Sequence, residues 1–221
     1  KLGLSFFKKM FSKKSSENKE KKDSFSNIKK IFGERISKAN VATEEIAGID
    51  ISENSIKVAQ LSKSKDDKWI LEKISLRLLD KAKTTEGIIA SKDYVAEELK
   101  LTMANAKITT SNVAISIPVT SAIIRVVTSP LMTDEELQKA IETDSLWENL
   151  VQLTDDLNDY SVFHQIISRN PKANTMEILF VASKLSDVNS YSSIVKKAGL
   201  NPVIMDVKCF TLKNAFDNSF K

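Results

Sequence analysis

The chain has 221 residues, 42% of them apolar and 28% charged, with one cysteine, one histidine and a formal net charge of +4. This is the composition of an ordinary soluble protein with room for one domain or two small ones. No apolar run approaches the roughly 18 residues that a membrane-spanning helix requires, and the lone Cys209 excludes an internal disulfide and a Cys/His zinc site, so a cytosolic address is the simplest reading.

The charge is unevenly spread. Residues 1–40 carry 12 Lys and Arg against 4 Asp and Glu, a balance of +8, whereas residues 41–221 carry 21 against 25, a balance of −4. The basic character belongs to an N-terminal extension, residues 1–44, in which lysine and serine dominate and 13–22 are expected to be disordered. Leu2, Leu4, Phe6, Phe7, Met10 and Phe11 share one side of a helical wheel with Lys8 and Lys9 opposite, and Phe25, Ile28, Ile31, Phe32 and Ile36 repeat the pattern. Phe6, Phe7, Lys8, Lys9 and Phe11 are therefore candidates for contact with an anionic membrane surface, the alternative being a helix that docks on protein. A secretory signal is not expected, because Lys8 and Lys9 interrupt the apolar run. Since the first residue is not methionine, the chain is expected to begin inside a longer product.

Ala47–Leu61 reads as a hairpin, with Ile49 and Ile51 before a polar turn and Ile56 and Val58 after it at period two. The turn, Ser52-Glu53-Asn54-Ser55, exposes backbone N–H groups, Asp50 stands at the strand end and Lys57 just beyond. Such a tip can be a plain chain reversal or a site for phosphate and a metal-bound water. Trp69–Leu79 alternates as a third strand, and Ser91 caps a helix from Lys92 to about Asn105 with Val95, Leu99 and Met103 on one stripe. Val113–Ile117 is an almost wholly apolar strand of the kind buried on both faces, and Pro118 ends it.

A different unit follows. Ile123–Thr128 is a strand, Thr133 caps a helix from Asp134 to about Trp147, Asp159–Ile167 and Met176–Ala182 are strands around an Asn-Pro turn, and Ser186 or Asp187 opens a helix through Lys197. Gly199 suits the residue just past that helix. Val203–Val207 is a last strand, and Phe210–Phe216 begins a last helix. Asp155, Asp156 and Asp159 read as a solvated loop, not a metal cluster. His164 has no nucleophile in a recognisable elbow beside it, and Cys209 reads as a small buried apolar residue.

Several strings in this order are similar to one family. Gly48-Ile49-Asp50-Ile51 with Ser55-Ile56-Lys57-Val58, Val113–Pro118, Ile124-Arg125-Val126, Thr133–Leu137, and Ala198–Val203 with Asp206-Val207 resemble PilM, the actin-like family of type IV pilus assembly related to the division protein FtsA. The resemblance covers about residues 46–217. It implies an α/β, actin-like (ribonuclease H-like) core subdomain, residues 45–121 and 201–221, with a strand-helix-strand-strand-helix subdomain inserted at 122–200. It implies further that the protein is a cytoplasmic adaptor, peripheral at the inner membrane, which docks the cytoplasmic tail of a PilN-like membrane protein and meets other alignment and motor-platform proteins.

The family's phosphate turn falls here on Asp50, Ser52, Asn54, Ser55 and Lys57, with ATP and Mg2+ as the implied cofactor and a second lobe beyond Lys221 needed to complete the pocket. Nucleotide binding is expected rather than turnover, and no catalytic residue is assigned. This chain departs from the family where Ser52 replaces a glycine and Glu53 adds a carboxylate beside the phosphates. The partner groove falls near Trp147, Leu150 and Val151, within a Leu146–Leu153 stretch that lacks the family's aromatic and proline-rich character. The alternatives are an ATPase or kinase of the actin-like superfamily and an FtsA-like membrane-associated filament component.

Overall fold

A computed structural model of the chain describes residues 45–66, 68–142, 146 and 156–219. Its elements are β1 (Ala47–Ser52), β2 (Ser55–Lys63), β3 (Trp69–Leu78), α1 (Lys92–Asn105), β4 (Asn112–Ile117), β5 (Ala122–Pro130), α2 (Asp134–Glu142), β6 (Tyr160–Asn170), β7 (Thr175–Lys184), α3 (Leu185–Lys197), β8 (Asn201–Val207) and α4 (Lys208–Ser219). The described residues form two compact units, one comprising those through Pro118 and again from Ser190, the other Val119–Asn189.

The first unit is built on a five-stranded sheet in the order β3-β2-β1-β4-β8. β1, β2 and β3 form an antiparallel meander, whereas β4 runs parallel to β1 and β8 parallel to β4. Parallel neighbours need long crossovers. β3 and α1 supply part of the first, and the second unit with α3 supplies the other. Ala47, Ile49 and Ile51 of β1 and Val113, Ile115 and Ile117 of β4 are buried at period two, as is the α1 stripe of Val95, Leu99 and Met103. Helix α1 lies against β2 and β3.

β3 is amphipathic with its apolar side outward. Ile74, Leu76 and Leu78 are 66%, 56% and 73% exposed, while Lys73, Ser75 and Arg77 take the half-buried side and Arg77 pairs with Glu98 of α1. Period two identifies a strand without saying which of its faces packs on α1.

The second unit is a three-stranded antiparallel sheet, β5-β7-β6. β7 is central, and its Met176, Ile178, Phe180 and Ala182 join Val127, Leu137 and Tyr160 in one apolar core. Helix α2 opens on a reciprocal capping box: the Glu136 N–H donates to Thr133 Oγ1 at 3.2 Å and the Thr133 N–H donates to Glu136 Oε2 at 2.8 Å. The α3 helix closes on Gly199 at φ +79°, with Gly199 N–H donating to Lys196 O at 2.9 Å and Leu200 N–H to Val195 O at 3.1 Å. That is the Schellman arrangement, which needs the left-handed residue that glycine supplies without strain. Helix α4 starts at Lys208, two residues before the expected Phe210, because β8 runs into it without a loop.

Candidate functional site

The hairpin tip is tightly tied. Ser52 Oγ donates to Ser55 O at 3.0 Å and lies 3.0 Å from Ser55 Oγ, and Asn54 O accepts from Leu79 N–H at 2.9 Å, which fastens the end of β3 to the turn. Strand register then sets four side chains in a row across the sheet. Lys57 on β2 is opposite Asp50 on β1, Asp50 is opposite Ser116 on β4, and Ser116 is opposite Asp206 on β8. Directly paired positions project from the same face of a sheet, so alternation along four strands assembles one polar line.

Asp50 is the centre of that line. Ser116 Oγ donates to its Oδ1 at 3.1 Å and Lys57 Nζ donates to its Oδ2 at 3.2 Å. Lys208, the first residue of α4, straddles the carboxylate, with Nζ 2.9 Å from Oδ1 and 3.0 Å from Oδ2. Burial alone would raise the pKa of Asp50, but the bonds from Lys208, Lys57 and Ser116 outweigh it and hold the carboxyl below its ordinary value.

Asp206 behaves oppositely. It is 4% exposed, and burial pushes its pKa up to about 6, only partly offset by the Val207 N–H that donates to Oδ1 at 2.8 Å. Because the folded protein holds this proton more tightly than the unfolded chain, the contribution to stability is complete below about pH 4 and lost as pH rises through about 6, a span worth about 3 kcal/mol. Asp206→Asn keeps an acceptor for Val207 N–H and removes the charge. Urea unfolding should show the variant roughly 2–3 kcal/mol more stable than the parent at neutral to alkaline pH, with the two converging near pH 4.

The sequence-derived phosphate residues Asp50, Ser52, Asn54, Ser55 and Lys57 thus lie together at the β1–β2 tip. Trp147, Leu150 and Val151, and likewise Phe6, Phe7, Lys8, Lys9 and Phe11, lie outside the described residues. Asp156 accepts from Asn158 N–H at 2.9 Å and from Asn158 Nδ2 at 2.8 Å, capping a short 3-10 turn. Burial pushes the Cys209 thiol up, the reverse of the tuning a nucleophilic cysteine needs.

Sequence reasoning missed Ser116, Lys208 and Asp206 as members of the site. The available signal was a single polar residue in each of two apolar strands, Ser116 in Val-Ala-Ile-Ser-Ile and Asp206 in Val-Ile-Met-Asp-Val.

The Mg2+ of an actin-like nucleotide site does not fit these residues as arranged. Magnesium takes carboxylate oxygens or holds them through its waters in an octahedron, whereas both oxygens of Asp50 are engaged by ammonium groups. The same two lysines could meet phosphate oxygens.

A mixed sheet whose parallel crossover carries a separate sheet-and-helix unit is the architecture of an actin-like lobe, and one solved structure shares the fold. The structure titled PilM-PilN type IV pilus biogenesis complex superposes with a TM-score of 0.64 at 19% identity, covering 80% of this chain and 51% of that one. The chain therefore spans about half the length of that relative. More distant are the cytoplasmic domain of EpsL, an inner-membrane component of the type II secretion system of Vibrio cholerae (TM-score 0.43, 13% identity, 74% of this chain and 57% of that one), and a Bacteroides thetaiotaomicron protein of actin-like ATPase fold and unknown function (TM-score 0.35, 11% identity, 81% and 58%). No curated protein matches the chain. The sequence profile of the type IV pilus assembly protein PilM matches residues 48–221, and the chain belongs to that family.

Proposed function

We propose that this chain is the first lobe of a cytoplasmic actin-like adaptor that works at the inner membrane in type IV pilus assembly and docks the cytoplasmic tail of a PilN-like membrane protein. The observation that carries the reading is the family match over residues 48–221, supported by the likeness in fold to a PilM that was solved together with PilN. Among the described residues no helix is long and apolar enough to cross a membrane, so attachment through a partner suits the chain. The aromatic Phe6, Phe7 and Phe11, with the basic Lys8 and Lys9 beside them, would add surface affinity.

The second unit supplies the docking face in this proposal. Its sheet has β5 and β6 outermost, and an extended tail can add to such an edge through main-chain hydrogen bonds while pockets take alternate side chains. Trp147, Leu150 and Val151 follow α2 in the chain and are proposed to contribute apolar contacts. The β1–β2 tip would hold a nucleotide that supports the lobe's shape. An ATPase or kinase reading is weaker, since it needs Asp50 to manage a metal ion and the carboxylate is held by Lys57 and Lys208.

Calorimetric titration of the full chain with the cytoplasmic tail peptide of its PilN-like partner is expected to give saturable binding at roughly micromolar affinity. A tail with the same composition in scrambled order should not bind. Equal binding of both peptides would remove the specific-adaptor reading.

A further inference from the structure

We propose that the ε-ammonium of Lys208 is a built-in counter-cation for Asp50, so that a polyphosphate ligand at the β1–β2 turn is bound without a divalent metal ion. The inference rests on the nucleotide reading of this turn and says how the ligand's charge is met.

Three observations converge. Lys208 bridges both oxygens of Asp50, at 2.9 and 3.0 Å, and so competes for the oxygens that a divalent cation or its waters would use. Lys57 donates to Oδ2 at 3.2 Å and Ser116 to Oδ1 at 3.1 Å, so donors from β2, β4 and α4 reach both carboxylate oxygens.

The third observation is that Lys208 stands where the local rules disfavour it. It is the first residue of α4, whose first turn holds no acidic residue to offset it, and a cation at a helix N-terminus opposes the helix dipole. A residue that breaks a local preference marks a place where something else compensates, and here the compensation is Asp50, 158 positions away in sequence. Two lysines around Asp50 carry one positive charge beyond its own, which offsets the Glu53 carboxylate in the turn. With half of Lys57 and a third of Lys208 exposed, phosphate oxygens could reach both ammonium groups while Asp50 keeps them in place.

The test uses the full chain, its Lys208→Met variant and an Asp50→Asn control, with ATP and Mn2+ as probes. Titration of the parent with ATP should give the same affinity within about twofold in excess Mg2+ and in excess EDTA. Lys208→Met should lose about tenfold or more in EDTA and recover part of that in Mg2+. An affinity for the parent that rises tenfold or more with Mg2+, or a variant no more dependent on Mg2+ than the parent, overturns the proposal.

Mn2+ alone, followed by electron paramagnetic resonance, decides the cation question independently. The parent should leave Mn2+ free in solution, and Lys208→Met should bind it in a manner that Asp50→Asn abolishes when combined with it. Binding of Mn2+ by the parent that Asp50→Asn removes contradicts the counter-cation role. If ATP binds neither protein under any condition, the nucleotide reading fails while the Mn2+ result still supports or overturns the role of Lys208.

Discussion

Phe180→Ala is expected to lower stability by about 3–5 kcal/mol and to abolish binding of the partner tail. Phe180 has no exposed surface and is among the largest fully buried side chains. It sits on β7, the central strand of the second unit, between Arg125 of β5 and His164 of β6 in register. Removing a ring from this apolar core leaves a cavity that its neighbours can only partly fill, and both the lost transfer energy and the cavity contribute. A net stability of about 5–15 kcal/mol is typical of a domain, so the second unit would open readily. Denaturant melts together with hydrogen exchange should show protection lost first across Val119–Asn189. Retained tail affinity in a variant with that exchange pattern would place the docking face elsewhere.

Leu99→Ala should cost a comparable amount, about 3–5 kcal/mol, with a different functional consequence. Leu99 is fully buried in the middle of the α1 stripe, between Val95 and Met103, and α1 is the helix that lies against β2 and β3. β2 carries Lys57, and the end of β3 is fastened to Asn54, so loosening this packing loosens the turn. The expected readout is faster exchange of the β1–β2 amides and weaker ATP binding, with tail binding much less affected at temperatures below the melt. Loss of both activities in proportion would mean that the two sites share one cooperative unit.

The elements were legible because each rests on a local signal. Apolar alternation marked β1, β2 and β3, the run Val113–Ile117 marked a buried strand, and Thr133 with Glu136 marked the start of α2. The resemblance to PilM implied an actin-like α/β core, which periodicity alone does not supply.

The polar line was legible only in part. Asp50, Ser52, Asn54, Ser55 and Lys57 are neighbours in sequence, but Ser116 is 66 positions from Asp50 and Lys208 is 158, and parallel strand pairing brings them together. The facing of β3 is likewise not set by pattern: Ile74, Leu76 and Leu78 alternate, and their exposure together with the pairing of Arg77 and Glu98 shows that they face away from α1. Asp206 was visible as part of a family string without a role, since its burial depends on β4 alongside and α4 following.

The central claim, that this actin-like lobe docks the tail of a membrane partner on its second unit, is tested most directly by hydrogen exchange on the full chain with and without the cytoplasmic tail of its PilN-like partner. The account predicts slowed exchange concentrated within Val119–Asn189, above all along β5 or β6, with the β1–β2 turn unchanged. Slowed exchange confined to the first unit, or no change anywhere at saturating tail, would contradict it.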